Sequence, residues 1–184
     1  MMKTFAPIAV VLLLAGCAST PTTYLALAPV PGPTVTLSGS PVAVARVAMP
    51  AAIDRLYLTT ATGPTTLNVA SHARWAAPLG GEARSALTLD LASRLPEVTV
   101  LMPGDPVPHG TRVVSVNVSK FLPEPGHVVL DADWRVTAGD DHRTVASGRA
   151  HIRVPTGHTP PEQAEAMSAA LGRLADTIAA KLGN

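Results

Sequence analysis

Between Leu79 and Leu95 an apolar residue returns every four positions: Leu79, Ala83, Leu87, Leu91 and Leu95, with Ala86 beside them. That spacing lays one apolar stripe along a helix, and Pro96 ends it. A second stripe, Met167, Leu171, Leu174, Ile178 and Leu182, closes the chain. Its helix can open at Pro160 or Pro161, since proline is accommodated in a first turn. Glu162 and Glu165 then stand at the positive end of the helix dipole, with Lys181 and Gly183 at its far end.

Elsewhere the period drops to two. Val114, Val116 and Val118 alternate with Ser115, Asn117 and Ser119 in a strand over Arg112 to Phe121. Leu130, Ala132, Trp134 and Val136 alternate with Asp131, Asp133 and Arg135 over Val128 to Thr137, and Thr144 to Val154 repeats the pattern. Such alternation belongs to a sheet with one covered face. The polar stretch Ala138 to His142 joins the last two strands as a hairpin. Val42 to Val47 is a further strand ended by Met49-Pro50. Leu56 to Thr60 and Thr65 to Val69 are short runs around the turn Thr62-Gly63-Pro64, and Val98 to Leu101 reads as buried. The expectation is an α/β (α+β-like) domain in which two amphipathic helices pack on one mixed, largely antiparallel sheet of about five to seven strands.

The N-terminus has a different organisation. One positive charge in Met1-Met2-Lys3 precedes the apolar run Ala6 to Leu14, too short to span a bilayer as a helix, which needs about 20 residues. Leu14-Ala15-Gly16-Cys17 then sets small residues directly ahead of the only cysteine. This arrangement resembles the bacterial lipobox, in which the thiol is acylated and the leader is cut before it. Residues 1–16 are accordingly expected to be a lipoprotein signal peptide, with Cys17 as the lipidated residue. Ala18, rather than Asp, follows the cysteine; resemblance to sorted lipoproteins of Gram-negative bacteria implies release to the outer membrane, with the domain on its periplasmic face. Residues 17–40, rich in Pro, Thr, Gly and Ser, are expected to form a tether and lead-in strand around Tyr24 to Leu27, and residues 41–184 a single domain. If that strand docks, the free tether reaches roughly 20 Å at full extension.

Losing Lys3 with the leader takes the formal charge from +1 to zero. With no basic stretch and no aromatic-basic interleaving, nucleic acid is not an expected partner. The six histidines have no ligand spacing, and neither a G-x-S-x-G elbow nor a phosphate-binding loop occurs, so no cofactor or metal is expected. Gly80-Gly81 reads as a turn. The Asp131-x-Asp133 pair faces Arg149, His151 and Arg153 of the next strand, which makes cross-strand charge pairs the expected arrangement. Two features exceed what a plain domain needs. Asp54-Arg55 stands at a strand-to-strand junction, and Arg74-Trp75 leads into the first helix. The local readings are an ion pair or a helix-start carboxylate for the first and an aromatic packed under a helix terminus for the second; the functional reading of both is a contact surface, where Trp and Arg are favoured anchors.

The lipobox, Tyr24-Leu25-Ala26-Leu27, Val42-Ala43-Val44 with Met49-Pro50, Asp54-Arg55, and Trp75-Ala76-Ala77-Pro78-Leu79 occur in an order that resembles the ABC-type transport auxiliary lipoproteins, including the PqiC-type lipoproteins. The strand ending at Phe121, the Trp134 strand and the closing helix continue the resemblance to about Leu182. Ala77 departs from it, standing where an acid is expected. The resemblance implies a non-catalytic outer-membrane component that docks on an MCE-domain protein of an intermembrane lipid-transport system, in a homo-oligomeric ring. It leaves Asp54, Arg55 and Trp75 as candidate partner or oligomer contacts. The alternatives are a lipid carrier with an apolar cavity lined by Leu56, Trp75 and Leu79, and a periplasmic hydrolase with converging catalytic side chains.

Overall fold

A computed structural model describes residues 20–138 and 141–183; Cys17 and the leader lie outside the described residues. Eight strands and two helices follow one another as β1 (Thr23–Leu25), β2 (Val42–Ala48), β3 (Tyr57–Gly63), β4 (Thr66–Trp75), α1 (Leu79–Arg94), β5 (Val100–Leu101), β6 (Arg112–Glu124), β7 (His127–Ala138), β8 (Arg143–Pro155) and α2 (Pro160–Leu182). The fold class is α/β, with two helices on mostly antiparallel strands. The strands form two sheets rather than the single sheet expected. A five-stranded sheet has the order β5-β2-β6-β7-β8, and a three-stranded sheet the order β1-β4-β3. The reason is local. The chain leaves β2 through Pro50, turns over Pro50–Leu56, and starts a hairpin whose strands pair only with each other and with β1.

In the large sheet β2 runs parallel to β5 and β6, while β6, β7 and β8 form an antiparallel meander. The alternation in sequence becomes the two faces of this sheet. Val114, Val116, Val118, Leu130, Ala132, Trp134 and Val136 are buried, and Ser115, Asn117, Asp133 and Arg135 are exposed. The inward face is covered by both helices through their stripes, Leu79, Ala83, Leu87 and Leu91 of α1 and Met167, Leu171, Leu174 and Ile178 of α2. Trp134 lies across Gly148 on the neighbouring strand; a Cβ there would come within 2.8 Å of the indole. The register of β2 against β6 slips between Val44 and Val47, and the Val44 carbonyl accepts a hydrogen bond from Arg84 Nε of α1 at 3.0 Å.

The Pro-rich stretch before β2 is fastened down along the two helices. Leu27 N–H donates to Glu82 Oε2 (3.2 Å), Ala28 N–H to Ser168 Oγ (3.1 Å) and Val30 N–H to Asp90 Oδ1 (2.6 Å). Arg94 occupies the centre of this strap. Its guanidinium donates to the Val30 carbonyl (2.9 Å), the Gly172 carbonyl of α2 (3.0 Å) and Asp176 Oδ1 (2.6 Å), and its own carbonyl accepts from Val35 N–H (2.7 Å). At 1% exposure Arg94 is a core residue, and its partner Asp90 is fully buried. Leu27–Pro33 has no polar side chain, and its Leu27, Ala28 and Val30 N–H groups are satisfied by helix side chains. Gly32 is required for it: a Cβ would stand 2.2 Å from Arg94 Nη2.

Thr159 caps α2 in a capping box, its side chain accepting from Glu162 N–H while the Glu162 carboxylate accepts from Thr159 N–H at 2.9 Å. Those bonds hold the Glu162 carboxyl below its ordinary 4.5, chiefly through the Thr159 backbone N–H. The stabilisation is therefore complete above that ordinary value and is lost as pH falls through the lowered folded value. Thr159→Ala should lower unfolding free energy by about 1 kcal/mol in urea titrations at neutral pH. Arg94→Ala leaves Asp90 buried without its counter-ion and should cost about 3–5 kcal/mol, measured the same way. It should also open residues 27–35 to limited proteolysis.

Candidate functional site

Asp54, Arg55 and Trp75 have three separate roles in the fold. The turn after β2 is closed by Ile53 and Asp54 N–H groups donating to the Pro50 carbonyl, both at 3.0 Å. It buries Ile53 and leaves Asp54 half-buried beneath the start of α1, where Asp54 Oδ1 accepts from Gly80 N–H at 2.9 Å. The N-cap residue of α1 is Pro78, which has no side-chain hydrogen-bonding group. The carboxylate that answers the free N–H groups and the dipole therefore comes from 26 residues upstream. Gly80 makes room for it, since a Cβ there would stand 3.2 Å from both that oxygen and the Val47 carbonyl. Gly80-Gly81 is thus the first turn of a helix and not a loop. Arg55 is exposed, and its Nε donates to the Ala51 carbonyl at 3.4 Å.

Trp75 corrects its reading as a contact anchor. It is the last residue of β4, paired with Leu25 of β1, and its side chain is 2% exposed in the core. The strand alternation that buries Ala73 also buries Trp75 and leaves no aromatic surface to offer a partner. Nor do Leu56, Trp75 and Leu79 line a common cavity: Trp75 and Leu79 are packed in the core, and Leu56 stands at the surface.

The outward face of the large sheet is polar and uncovered by helices. Register puts Asp133 opposite Arg149 and Asp131 opposite His151, with Arg149 Nε 2.9 Å from Asp133 Oδ1 and His151 Nδ1 2.5 Å from Asp131 Oδ1. These are the expected charge pairs. The hydrogen bond and charge of the Asp133 carboxylate raise the Arg149 pKa. Ser119, Asp131 and His151 are neighbours here, a set of residue types that invites a hydrolase reading. Their order across the strands rules out a relay: Asp131 on β7 lies between Ser119 on β6 and His151 on β8, and Ser119 Oγ donates to the Asp131 carbonyl at 3.3 Å. Nucleophile activation needs the histidine next to the hydroxyl, with the carboxylate behind it.

At the far end of β7, His127 Nδ1 lies 3.0 Å from the Pro125 carbonyl. Its Nε2 lies 2.7 Å from Arg153 Nη2 and 3.1 Å from Glu124 Oε2, so the ring connects the ends of β6 and β8. Glu124 next to it is held below the usual carboxylate range, first by its bond to the Lys120 ammonium. Among the described residues no group of three or more His, Cys, Asp and Glu could hold a metal ion, and no helix is long and apolar enough to cross a membrane.

One feature of this face escaped the alternation pattern. A groove of about 740 Å³ runs over Arg46, Ser115, Asn117, Asp133, Arg135 and Ser147. Arg135 stands in register between Ser115 and Ser147, and Arg46 reaches the same groove from β2. The two acids of β7 are engaged by β8, which leaves the groove's arginines available to polar or anionic groups. Arg46 was hidden because the β2 register slip decides where it points.

These features define a small α/β domain whose N-terminal segment is strapped along its two helices. The comparisons with known proteins specify it further. The family model for the ABC-type transport auxiliary lipoprotein component matches residues 24–179, from β1 into α2, and the chain belongs to that family. Among solved structures, a protein described only as uncharacterized superposes with a TM-score of 0.75 at 19% identity, over 89% of this chain and 99% of its own. A Xanthomonas campestris protein of the DUF330 family superposes with a TM-score of 0.67 at 17% identity, over 88% of this chain and 93% of its own. Both show the same fold. No curated protein matches the sequence.

Asp54→Ala should destabilise the domain by about 1 kcal/mol through loss of the α1 terminus contact, while Arg55→Ala should stay within about 0.5 kcal/mol of the parent. Chemical denaturation of the two variants separates a structural carboxylate from a surface arginine.

Proposed function

We propose that the protein is a lipoprotein acylated at Cys17 after removal of residues 1–16, held on the periplasmic face of the outer membrane. There it serves as a non-catalytic docking component for the MCE-domain protein of an ABC-type lipid transporter. The observation that carries this reading is the family match spanning β1 to α2, preceded in sequence by the lipobox. The ATPase and permease of such a system are separate polypeptides, and this chain contributes a surface.

The strapped lead-in segment supports the same reading. With β1 docked from Thr23, about six residue steps connect the acylated cysteine to the folded domain, roughly 20 Å at most. Multiple acyl chains on one cysteine make such an anchor stable. The partner surface in this reading is the uncovered outer face of the large sheet, with its Arg46 and Arg135 groove. Arg55 is an additional exposed contact, and Asp54 acts indirectly by fixing the loop that carries it. Copies of the chain would assemble as a ring on the end of the MCE tunnel.

Two experiments test the proposal. Cys17→Ser should abolish lipid labelling and leave the unprocessed precursor; normal processing of the variant would sink the anchor. Detergent-solubilised membranes should yield an MCE-domain protein co-purifying with the wild-type chain, and the double variant Arg46→Glu/Arg135→Glu should lose it while keeping its far-UV spectrum. Recovery of transporter components independent of those arginines would move the docking surface elsewhere, and their consistent absence from wild-type preparations would refute the docking role.

A further inference from the structure

The exposed large apolar side chains are unevenly distributed. Tyr24, Leu56, Tyr57, Leu67 and Val69 belong to the three-stranded sheet or the turn leading into it, whereas Leu89, Met102, Val107 and Val145 are scattered over other elements. Tyr24 is the most exposed of all, at 69%. It stands in register with Arg74, which is in turn in register with Tyr57, and the Arg74 guanidinium lies over the Tyr57 ring, 4.7 Å from its centroid. β1 covers β4 only along Ala73–Trp75, so the β4 edge from Thr66 to His72 has no strand on that side among the described residues.

Charge is distributed in the same direction. No Asp or Glu occurs between Arg55 and Gly81, nor between Cys17 and Val35, so this sheet holds Arg74 and His72 without a carboxylate of its own. Tyrosines with apolar rings and wet hydroxyls, beside an arginine and with no acid, are the composition that suits the boundary between headgroups and acyl chains. The chain outside the fold points to the same surface. Cys17 connects to this sheet through β1, and its tether is too short to place the sheet more than about 20 Å from the acyl chains.

We propose that the three-stranded sheet is the face that lies on the bilayer, with Tyr24, Leu67 and Val69 as interfacial contacts and Arg74 toward lipid phosphates. This orientation rests on Cys17 being the lipid anchor. It turns the β3–β4 hairpin toward the membrane and leaves the polar outer face of the large sheet to the periplasm.

The anchor provides its own labelling strategy: with the only native thiol acylated, an introduced cysteine is the single reactive one. Full-length lipoprotein carrying Leu67→Cys or Tyr24→Cys, labelled with a fluorophore, is reconstituted into vesicles of phosphatidylethanolamine and phosphatidylglycerol doped with headgroup-nitroxide lipid. The control is Val107→Cys, 60% exposed, in the loop before β6. The β3–β4 tip packs by the β6–β7 turn, so the control lies at the opposite end of a thirteen-residue strand. Quenching should be severalfold stronger at both sheet positions than at Val107. Equal quenching, or stronger quenching at Val107, would overturn the orientation and make the sheet a protein-contact surface. Flotation of the same vesicles reads the anchor separately: protein that stays at the bottom of the gradient refutes acylation at Cys17, and this orientation with it.

Discussion

The buried pair of Arg94 and Asp90 is the constraint on which the rest of the arrangement depends. Asp90 is fully buried, and burial raises its pKa despite the Val30 N–H and the Arg94 charge that oppose the shift. An ion pair in such a position is poor evidence of net stability, because desolvation offsets most of its attraction. Its effect is positional. A guanidinium that cannot remain unpaired in the core takes its acceptors from three directions: α1 itself, the Gly172 carbonyl and Asp176 of α2, and the Val30 carbonyl of the lead-in segment. The helices and the strap are thereby fixed to one another, and with the strap goes the place where the chain leaves the domain.

Each surface of the molecule then has a distinct character. The inward face of the large sheet is consumed by the helices. The outward face presents the Asp133–Arg149 and Asp131–His151 pairs and a groove lined by Arg46 and Arg135. The small sheet, next to the strap, carries the exposed tyrosines and aliphatic residues. The two sheets thus give the domain exposed faces of unlike character, one polar and one with aromatic and aliphatic side chains.

Much of this was legible in the residues. The stripe from Leu79 to Leu95, the three alternating strands and the proline-opened last helix all appear where periodicity placed them, within a few residues at their ends. The pairing of Asp131 and Asp133 with basic residues followed from alternation alone, because only registers that keep the apolar faces together were admissible. Trp75 and Asp54 were not resolved in the same way. A tryptophan just before a helix suits a surface anchor and a buried strand end equally well, and the pairing of β4 with β1 decided between them. Asp54 looked like half of a local ion pair because its partner, the Gly80 N–H, lies 26 residues away.

The sequence by itself determined the fold class and the polarity of each sheet face, since these depend on short-range order and on a period of two or four. Only the tertiary structure decided that the strands divide into two sheets and that the proline-rich lead-in is held rather than loose. The same is true of the inward position of Trp75 and of the carboxylate that completes the start of α1. Those outcomes rest on backbone groups finding partners far away in sequence, and an apolar run such as Leu27–Pro33 carries no local sign of where its hydrogen bonds will be made.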